Sequence, residues 1–557
     1  MSPRSIASAT AVTFASILVA DLASAQQGCD VFGPTTPDIH VSQTSFYDQI
    51  WSQVARRSNG IACAWSEGQD VWARLFDINL LPVTDQFLVD TTQNLDIQDE
   101  PAIAYATGGN ILIAWSDRHG YDGEQMGIFA RLYDVHGVPL TSEFEVNVKW
   151  SASQWRPLIA PTPSGGFVVA WSGNWDGDAF FRIFDANGAP LSGDVLVNTF
   201  PYDAQVDPAP AVNADGTIFI AFIDYSSHGN VGSGINIYGR LFDATGAPLE
   251  PSEFVLTTWA GDGDQREPRV AADGLKRFIV VWEDQIHDGS GYGVMARLYD
   301  PSGAPLAPEF LVNTTTSGDQ RAPRVAADRF GRFIVTYEDN STGVTRILGQ
   351  RFDASANRVG GEFIVEQNGV NPAQNRTIAL DETGSDLLLG YDIDGQPSPP
   401  GNGIDVFVRR FADAPGPFAY CSAKVNSQGC APSIDFSGSA SVTSASPFLI
   451  SATNVLNKKA GLLFYAHDSA FTPFQGGTLC VAQPLHRTAQ QNSGGNPSGT
   501  DCSGHLSFDF NAYAQSGVDA TLTAGTSISA QFYYRDPLDP AGFVTGLTNA
   551  LRFTLCP

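Results

Sequence analysis

The stretch that decides the fold is Gln265-Arg-Glu-Pro-Arg-Val-Ala-Ala272, Phe278-Ile-Val-Val-Trp282, Val294-Met-Ala-Arg-Leu-Tyr-Asp300 and Glu309-Phe-Leu-Val-Asn-Thr314. It reads as four β-strands, and the grammar repeats. The segment Phe278 to Trp282 returns as Ile61 to Trp65, Ile111 to Trp115, Phe167 to Trp171, Ile218 to Phe222, Phe333 to Tyr337 and Leu387 to Tyr391. A period of roughly 50 to 60 residues built from strands suits a propeller blade and exceeds most helical repeats. The uninterrupted apolar run of the second strand predicts burial on both faces, between neighbouring units. Asp300-Pro-Ser-Gly303 predicts a tight hairpin between third and fourth strands, with glycine in the left-handed position, and the same Asp-x-x-Gly starts at Asp134, Asp185 and Asp243.

The seventh unit has no fourth strand of its own, because Val406-Phe-Val-Arg-Arg-Phe411 runs straight to Pro415. The missing strand lies at the other end of the chain. Ile39-His-Val-Ser-Gln-Thr44 followed by Asp48-Gln49 aligns with Phe310-Leu-Val-Asn-Thr314 followed by Asp319-Gln320. The expectation is an all-β protein: a seven-bladed β-propeller over residues 38–414, closed by an N-terminal strand and so short of exposed edges. Helical signal is essentially absent.

Residues 415–557 differ in character. They hold six Lys or Arg and seven Asp with no Glu, so nearly all of the net charge of −28 belongs to the first part. Short alternating segments such as Phe448-Leu-Ile-Ser-Ala, Leu506-Ser-Phe-Asp-Phe510 and Ser527 to Tyr534 predict a β-sandwich. Residues 1–25 read as a secretory signal peptide, with Arg4, an apolar run from Ala11 to Ala20 and a small-residue end at Ala23-Ser-Ala25. That run is too short for a membrane span, and no other stretch is apolar enough. The chain is expected to be secreted or in the cell envelope. Five of seven cysteines fall after residue 415, where an oxidising compartment lets them pair. Spacing suggests Cys421 with Cys430 and Cys480 with Cys502, leaving Cys556 for Cys29, although sequence alone leaves other connectivities open. Cys63 lies in an apolar strand and reads as a free core thiol. The acidity disfavours nucleic acid and anionic membrane as partners.

The blade grammar, with its Phe-Val-Val-x-Trp, Ala-Arg-Leu-Tyr-Asp and Glu-Phe-x-Val-Asn-Thr, resembles the repeats of large secreted bacterial surface proteins. The tail, with Tyr420-Cys-Ser-Ala-Lys-Val-Asn-Ser-Gln-Gly-Cys430, Gly476-Gly-Thr-Leu-Cys480, Asp509-Phe-Asn-Ala-Tyr513 and Tyr534-Arg-Asp-Pro537, is similar to a C-terminal module of exported proteins from planctomycete-like and myxobacterial lineages. Both resemblances imply location and architecture, and neither implies a catalytic mechanism.

Candidate chemistry follows the repeat. Gln49, Gln98, Gln154, Gln205, Gln265, Gln320 and Gln374 precede the first strands, and Glu67, Asp117, Gly173, Asp224, Asp284, Asp339 and Ile393 follow the second. Strand direction puts both sets near one end of a central channel. The carboxylates Glu67, Asp117, Asp224, Asp284 and Asp339, with Gln265 and Gln320, are the candidate ligand-binding set. Gln bonding to neighbouring backbone and carboxylates pairing with the repeat arginines Arg74, Arg131, Arg182, Arg240, Arg297 and Arg409 is the competing, purely structural reading. His119, His228 and His287 sit in similar Gly- and Asp-rich loops, and Asp392-Ile-Asp-Gly395 and Asn174 to Asp178 are fragments of a calcium loop. Calcium is therefore a possible cofactor, while no serine elbow, His-Glu-x-x-His or phosphate loop occurs. The expected function is non-catalytic binding of a glycan or protein at the propeller's top face. The alternatives are a secreted glycan-active hydrolase or lyase using paired carboxylates, and a structural surface component.

Overall fold

The computed structural model describes residues 32–556 apart from 37, 44–46, 92–96, 119–125, 149–152, 174–176, 201–202, 227–233, 259–262, 366–372, 385, 395–403 and 414–416. The predicted signal segment, Cys29, His119, His228 and Gly395 lie outside these. The chain divides into two compact units, one spanning Phe32–Asp413 and the other containing Ala414–Pro557.

The first unit is a β-propeller of repeated antiparallel sheets. Sheet 1 consists of Gln49–Arg57, Gly60–Glu67, Asp70–Phe76 and Phe87–Leu88. Five more four-stranded sheets follow with the same strand order, their first strands beginning at Gln98, Gln154, Gln205, Gln265 and Gln320. The last, sheet 7, joins Ala373–Leu380, Asp386–Asp394 and Ile404–Asp413 to two N-terminal strands, Phe32–Pro34 and Ile39–His40. First strands of successive sheets contact one another in order, and that of sheet 7 contacts that of sheet 1. The sheets therefore form a closed cycle.

Packing explains the apolar second strands. In sheet 2, Ile111, Ile113 and Trp115 pack with sheet 1, while Leu112 and Ala114 pack with Phe167, Val169 and Trp171 of sheet 3. Alternate side chains of one strand thus enter two different cores, which requires apolar residues at consecutive positions. The same arrangement closes the ring, where Val41, Val54, Ile61 and Trp65 share a cluster with Leu388, Val406 and Val408. Each third-to-fourth hairpin is held by its aspartate. Asp300 Oδ1 accepts the backbone N–H groups of Ser302 at 2.8 Å and Ala304 at 3.0 Å, and Gly303 has φ +81°.

The repeat arginines do not pair with the second-strand carboxylates, as the structural reading expected. Arg74, Arg131, Arg182, Arg240, Arg297 and Arg409 each reach the preceding sheet, donating Nη1 to the carbonyls of Val41, Val89, Val146, Val197, Leu256 and Val365 at 2.6–3.3 Å. Each guanidinium also lies over the ring two residues along, as Arg182 does over Phe184 at 5.4 Å. Val41 follows Ile39–His40 as Val89, Val146, Val197, Leu256 and Val365 follow their fourth strands, so Ile39–Val41 serves sheet 1 as those strands serve their successors.

In the second unit, a six-stranded sheet containing Ala460–Ala466, Ser527–Arg535 and Thr545–Thr554 and a three-stranded sheet of Ser433–Ser437, Leu449–Val455 and Gly504–Asp509 contribute to one core. Phe448, Ile450 and Leu506 meet Leu463, Phe532 and Phe553 there. One element departs from the all-strand expectation. The predicted strand Leu506–Phe510 ends at Asp509, whose carboxylate accepts the Ala512 N–H at 3.2 Å and caps a helix over Phe510–Gln515. The disulfides also correct the spacing argument. Cys421 bonds to Cys480 and Cys430 to Cys502, closing separations of 59 and 72 residues. Nearest-neighbour spacing fails because the fold sets the end of Phe418–Tyr420 beside a hairpin of another sheet, that of Ser469–Phe474 and Gly477–Val481, where the Tyr420 hydroxyl donates to the Cys480 carbonyl. Cys556 is also disulfide-bonded, and Cys63 is buried and free. Among the described residues no helix is long and apolar enough to cross a membrane.

Candidate functional site

The glutamine and carboxylate positions do come together, as cross-strand partners. Gln49 faces Glu67, Gln98 faces Asp117, Gln154 faces Gly173, Gln205 faces Asp224, Gln265 faces Asp284 and Gln320 faces Asp339. Every Gln and carboxylate in these pairs is at most 5% exposed. Their bonds run within and between sheets. Gln320 Nε2 donates to Asp339 Oδ1 at 3.0 Å, and Gln154, Gln205 and Gln320 accept through Oε1 from Asn147, Asn198 and Asn313 of the preceding fourth strands at 3.0–3.3 Å. Asp284 Oδ1 accepts the Ile286 and His287 N–H groups and lies 2.6 Å from His287 Nδ1. In sheet 7 the expected alignment is off by one. Ala373 faces Ile393 at the repeat position, and Gln374 instead faces Asp392, a shift that reverses the face each side chain presents.

The residues that line the axial cavity come two places later. In sheets 1 to 6 the ladder skips after the residue that follows the glutamine, and the residue at Gln+2 adopts positive φ: Trp51 at 61°, Glu100 at 53°, Arg156 at 54°, Asp207 at 54°, Glu267 at 50° and Ala322 at 49°. In sheets 2 to 6 a proline follows, Pro101, Pro157, Pro208, Pro268 or Pro323. Proline lacks the N–H that a continuous ladder would use, so the interruption belongs there. The bulge N–H is held by the neighbouring sheet instead. Arg156 donates to Ser116 Oγ at 3.1 Å, Asp207 to Ser172 Oγ at 2.9 Å, Ala322 to Glu283 Oε1 at 2.6 Å and Trp51 to Asp392 Oδ2 at 3.0 Å.

These bulges surround a cavity of about 410 Å³. Its wall combines Trp51, Glu100, Arg156, Asp207, Glu267 and Ala322 with Arg266, Arg269, Glu283, Arg321, Arg324, Glu338 and Arg376. Unlike the Gln–carboxylate positions, the bulge position changes chemistry from sheet to sheet. Arg156 bridges Glu100 at 3.4 Å and Asp207 at 3.2 Å, Arg269 meets Glu267 at 3.2 Å, and Arg376 meets Asp392 at 2.5 Å while lying over the Trp51 ring at 4.5 Å.

Protonation in this cavity is set by burial against neighbouring charge. Burial pushes the Glu283 carboxyl up to about 7, with Glu267 and Glu338 adding to the rise and the Ala322 N–H and Arg321 opposing it. Burial and the Glu267 charge raise Asp207. Glu267 goes the other way: burial is outweighed by Arg269, Arg324 and Arg156, which hold its carboxyl below the usual range. Burial brings Arg324 down to about 9, helped by Arg269. Among the described residues, no group of three or more His, Cys, Asp or Glu side chains is placed to hold a metal ion. The bulge residues were visible in the sequence only as the variable position between the recurring Gln and Pro, a signal that the repeat alignment passes over because it seeks what is constant.

No protein-family model and no curated protein sequence matches the chain. Among solved structures, the chain is similar to a polysaccharide lyase, an ulvan lyase bound to a GlcA(1-4)Rha3S saccharide, at 9% identity and TM-score 0.44, with 67% of this chain and 95% of that one covered. It is similar to an α-L-arabinanase of Penicillium chrysogenum complexed with arabinobiose at 14% identity and TM-score 0.39, covering 56% and 92%. A Dos1 propeller matches at 11% identity and TM-score 0.40, covering 70% and 97%. Likenesses this distant say nothing about the ligand or chemistry of this chain.

Proposed function

We propose that the chain is an exported binding protein in which a seven-bladed propeller takes a glycan at the mouth of its axial cavity, and a β-sandwich over residues 415–557 attaches or presents it. One observation carries this reading. Scaffold positions repeat from sheet to sheet, whereas the positive-φ bulge position carries five different residue types in the six sheets that have it and faces the cavity. A repeat that diversifies where it meets an enclosed space is suited to specialise for what enters that space. The lining offers an aromatic plate in Trp51 and several guanidinium and carboxylate groups, the means by which hydroxyl-rich ligands are oriented. The Gln–carboxylate pairs then support the site by holding sheet to sheet.

A second reading, a glycan-active hydrolase or lyase, draws on Glu283. A carboxyl pushed up to about 7 inside a cavity has the proton affinity of a general acid or base at neutral pH. The carboxylates that line this cavity are Glu100, Asp207, Glu267, Glu283 and Glu338, not the sequence-derived set of Glu67, Asp117, Asp224, Asp284 and Asp339.

The deciding experiment is a glycan array probed with the full secreted chain, with and without calcium, followed by product analysis on every glycan retained. Retention without turnover supports the binding protein. Turnover that disappears in Glu283→Gln replaces it with the enzyme. Silence toward every glycan, with self-association, replaces both with a structural component.

A further inference from the structure

We propose that the axial channel contains an anion-binding girdle centred on Arg324, so that the bound ligand carries a carboxylate or sulfate ester. This specifies the ligand of the cavity above and rests on that reading for its saccharide part only.

The channel continues past the mouth into a second chamber of about 310 Å³. Gln53, Leu158, Arg269, Arg324 and Arg376 line both spaces and mark the boundary. Arg269, Arg324 and Arg376 come from consecutive sheets 5, 6 and 7, so three guanidinium groups converge on one side. Opposite them stand Ala102, Ile103, Leu158, Ala209 and Pro210, and beyond lie Arg56, Tyr105 and Thr377.

The three are not equivalent. Arg269 has Glu267 at 3.2 Å, and Arg376 has Asp392 at 2.5 Å. Arg324 donates Nε to the Arg376 carbonyl at 2.6 Å and Nη1 to the Pro323 carbonyl at 2.8 Å. Among the described residues no carboxylate stands within 4.0 Å of it, and Glu267 and Glu338 act on it only from farther away. Two neutral carbonyls fix the plane of the guanidinium without cancelling its charge. A buried charge left in this way is costly unless an opposite charge arrives. The fork geometry of a guanidinium suits a planar or tetrahedral oxyanion, whose remaining oxygens can reach Arg269 or Arg376. The chamber's further guanidinium, Arg56, is already bonded to Asp386 at 2.7 Å, so the anion stops at the girdle with its uncharged body in the polar mouth. The burial that brings Arg324 down to about 9 leaves it protonated at neutral pH.

The test is calorimetric titration of the full chain with a saturated trigalacturonide, its fully methyl-esterified form, a sulfated neutral trisaccharide and the unsulfated parent. Binding of the trigalacturonide or the sulfated sugar, lost on esterification or desulfation, is expected, and whichever binds identifies the anion. Arg324→Gln should weaken that binding by about tenfold or more while Arg324→Lys retains part of it. The esterified ligand makes the test independent of whether Arg324→Gln folds. Equal affinity for charged and uncharged forms overturns the anion girdle and leaves the glycan reading standing. If no saccharide binds but inorganic sulfate does, and Arg324→Gln abolishes it, the girdle stands and the glycan reading falls.

Discussion

Asn313 Nδ2 lies 3.0 Å from Gln320 Oε1, so the fourth strand of sheet 5 is tied to the first strand of sheet 6 through side chains alone. Asn313 Oδ1 meanwhile accepts the Val294 N–H at 2.8 Å, and Gln320 Nε2 reaches Asp339. The relay joins the third strand of sheet 5 and the segment just after its fourth strand to the first two strands of sheet 6, and all its members are buried. Asn313→Ala strands the Gln320 acceptor and the Val294 donor together. It should destabilise the unit by about 2–4 kcal/mol in urea or thermal unfolding, since each stranded buried group costs about 1–3 kcal/mol. A loss under 0.5 kcal/mol would remove the relay as a structural element.

Sheet 1 carries the same relay with a different residue. Asp90 stands where Asn147, Asn198 and Asn313 stand, accepting the Val71 N–H at 2.8 Å. Burial first, then the charges of Asp70 and Glu143, push its carboxyl up to about 7 against the pull of the Val71 N–H. Because the folded pKa exceeds the unfolded one, the associated stability is complete below about pH 4 and is lost as pH rises through 7. Asp90→Asn should therefore raise the melting temperature at pH 8, by about 1–3 kcal/mol of stability, and change little at pH 4. Equal effects at both pH values would contradict the shift.

Ring closure rests on a short segment. Ile39–His40 pairs with Ile404–Asp413, and Val41 accepts from Arg74 of sheet 1. Deleting residues 38–44 should expose the edge of Ile404–Asp413 and uncover the core of Ile61, Trp65 and Leu388, giving concentration-dependent oligomers in sedimentation velocity. A monomer that melts like the parent would show that closure does not depend on this strand.

The two resolved disulfides make a mapping prediction. Proteolysis under non-reducing conditions should release one peptide pair linking Cys421 to Cys480 and another linking Cys430 to Cys502. Cys430→Ser with Cys502→Ser should lower the stability of the C-terminal unit by about 2–4 kcal/mol, the usual range for loss of a disulfide. Recovery of a Cys421–Cys430 peptide would refute the pairing.

Much of the architecture is legible from sequence because it is local or periodic. The continuous apolar run of Phe278 to Trp282 announces a strand buried on both faces, the Asp-x-x-Gly turns announce hairpins, and the likeness of Ile39 to Thr44 to Phe310 to Thr314 reveals where the missing strand comes from. The recurring Gln and carboxylate positions were also legible, though periodicity could not say that they face each other and stay buried. Three features depended on tertiary structure. Disulfide partners follow from which segments meet, and Cys421, just past a strand of the six-stranded sheet, meets Cys480 of a separate hairpin. The one-residue shift in sheet 7 is a matter of register, which similar residues at adjacent positions leave ambiguous. The cavity wall of Trp51, Glu100, Arg156, Asp207 and Glu267, with Arg324 at its floor, arises because each bulge turns a variable residue toward an axis that exists only once all the sheets have closed around it. A single repeat carries the bulge, but only the ring determines which charges meet.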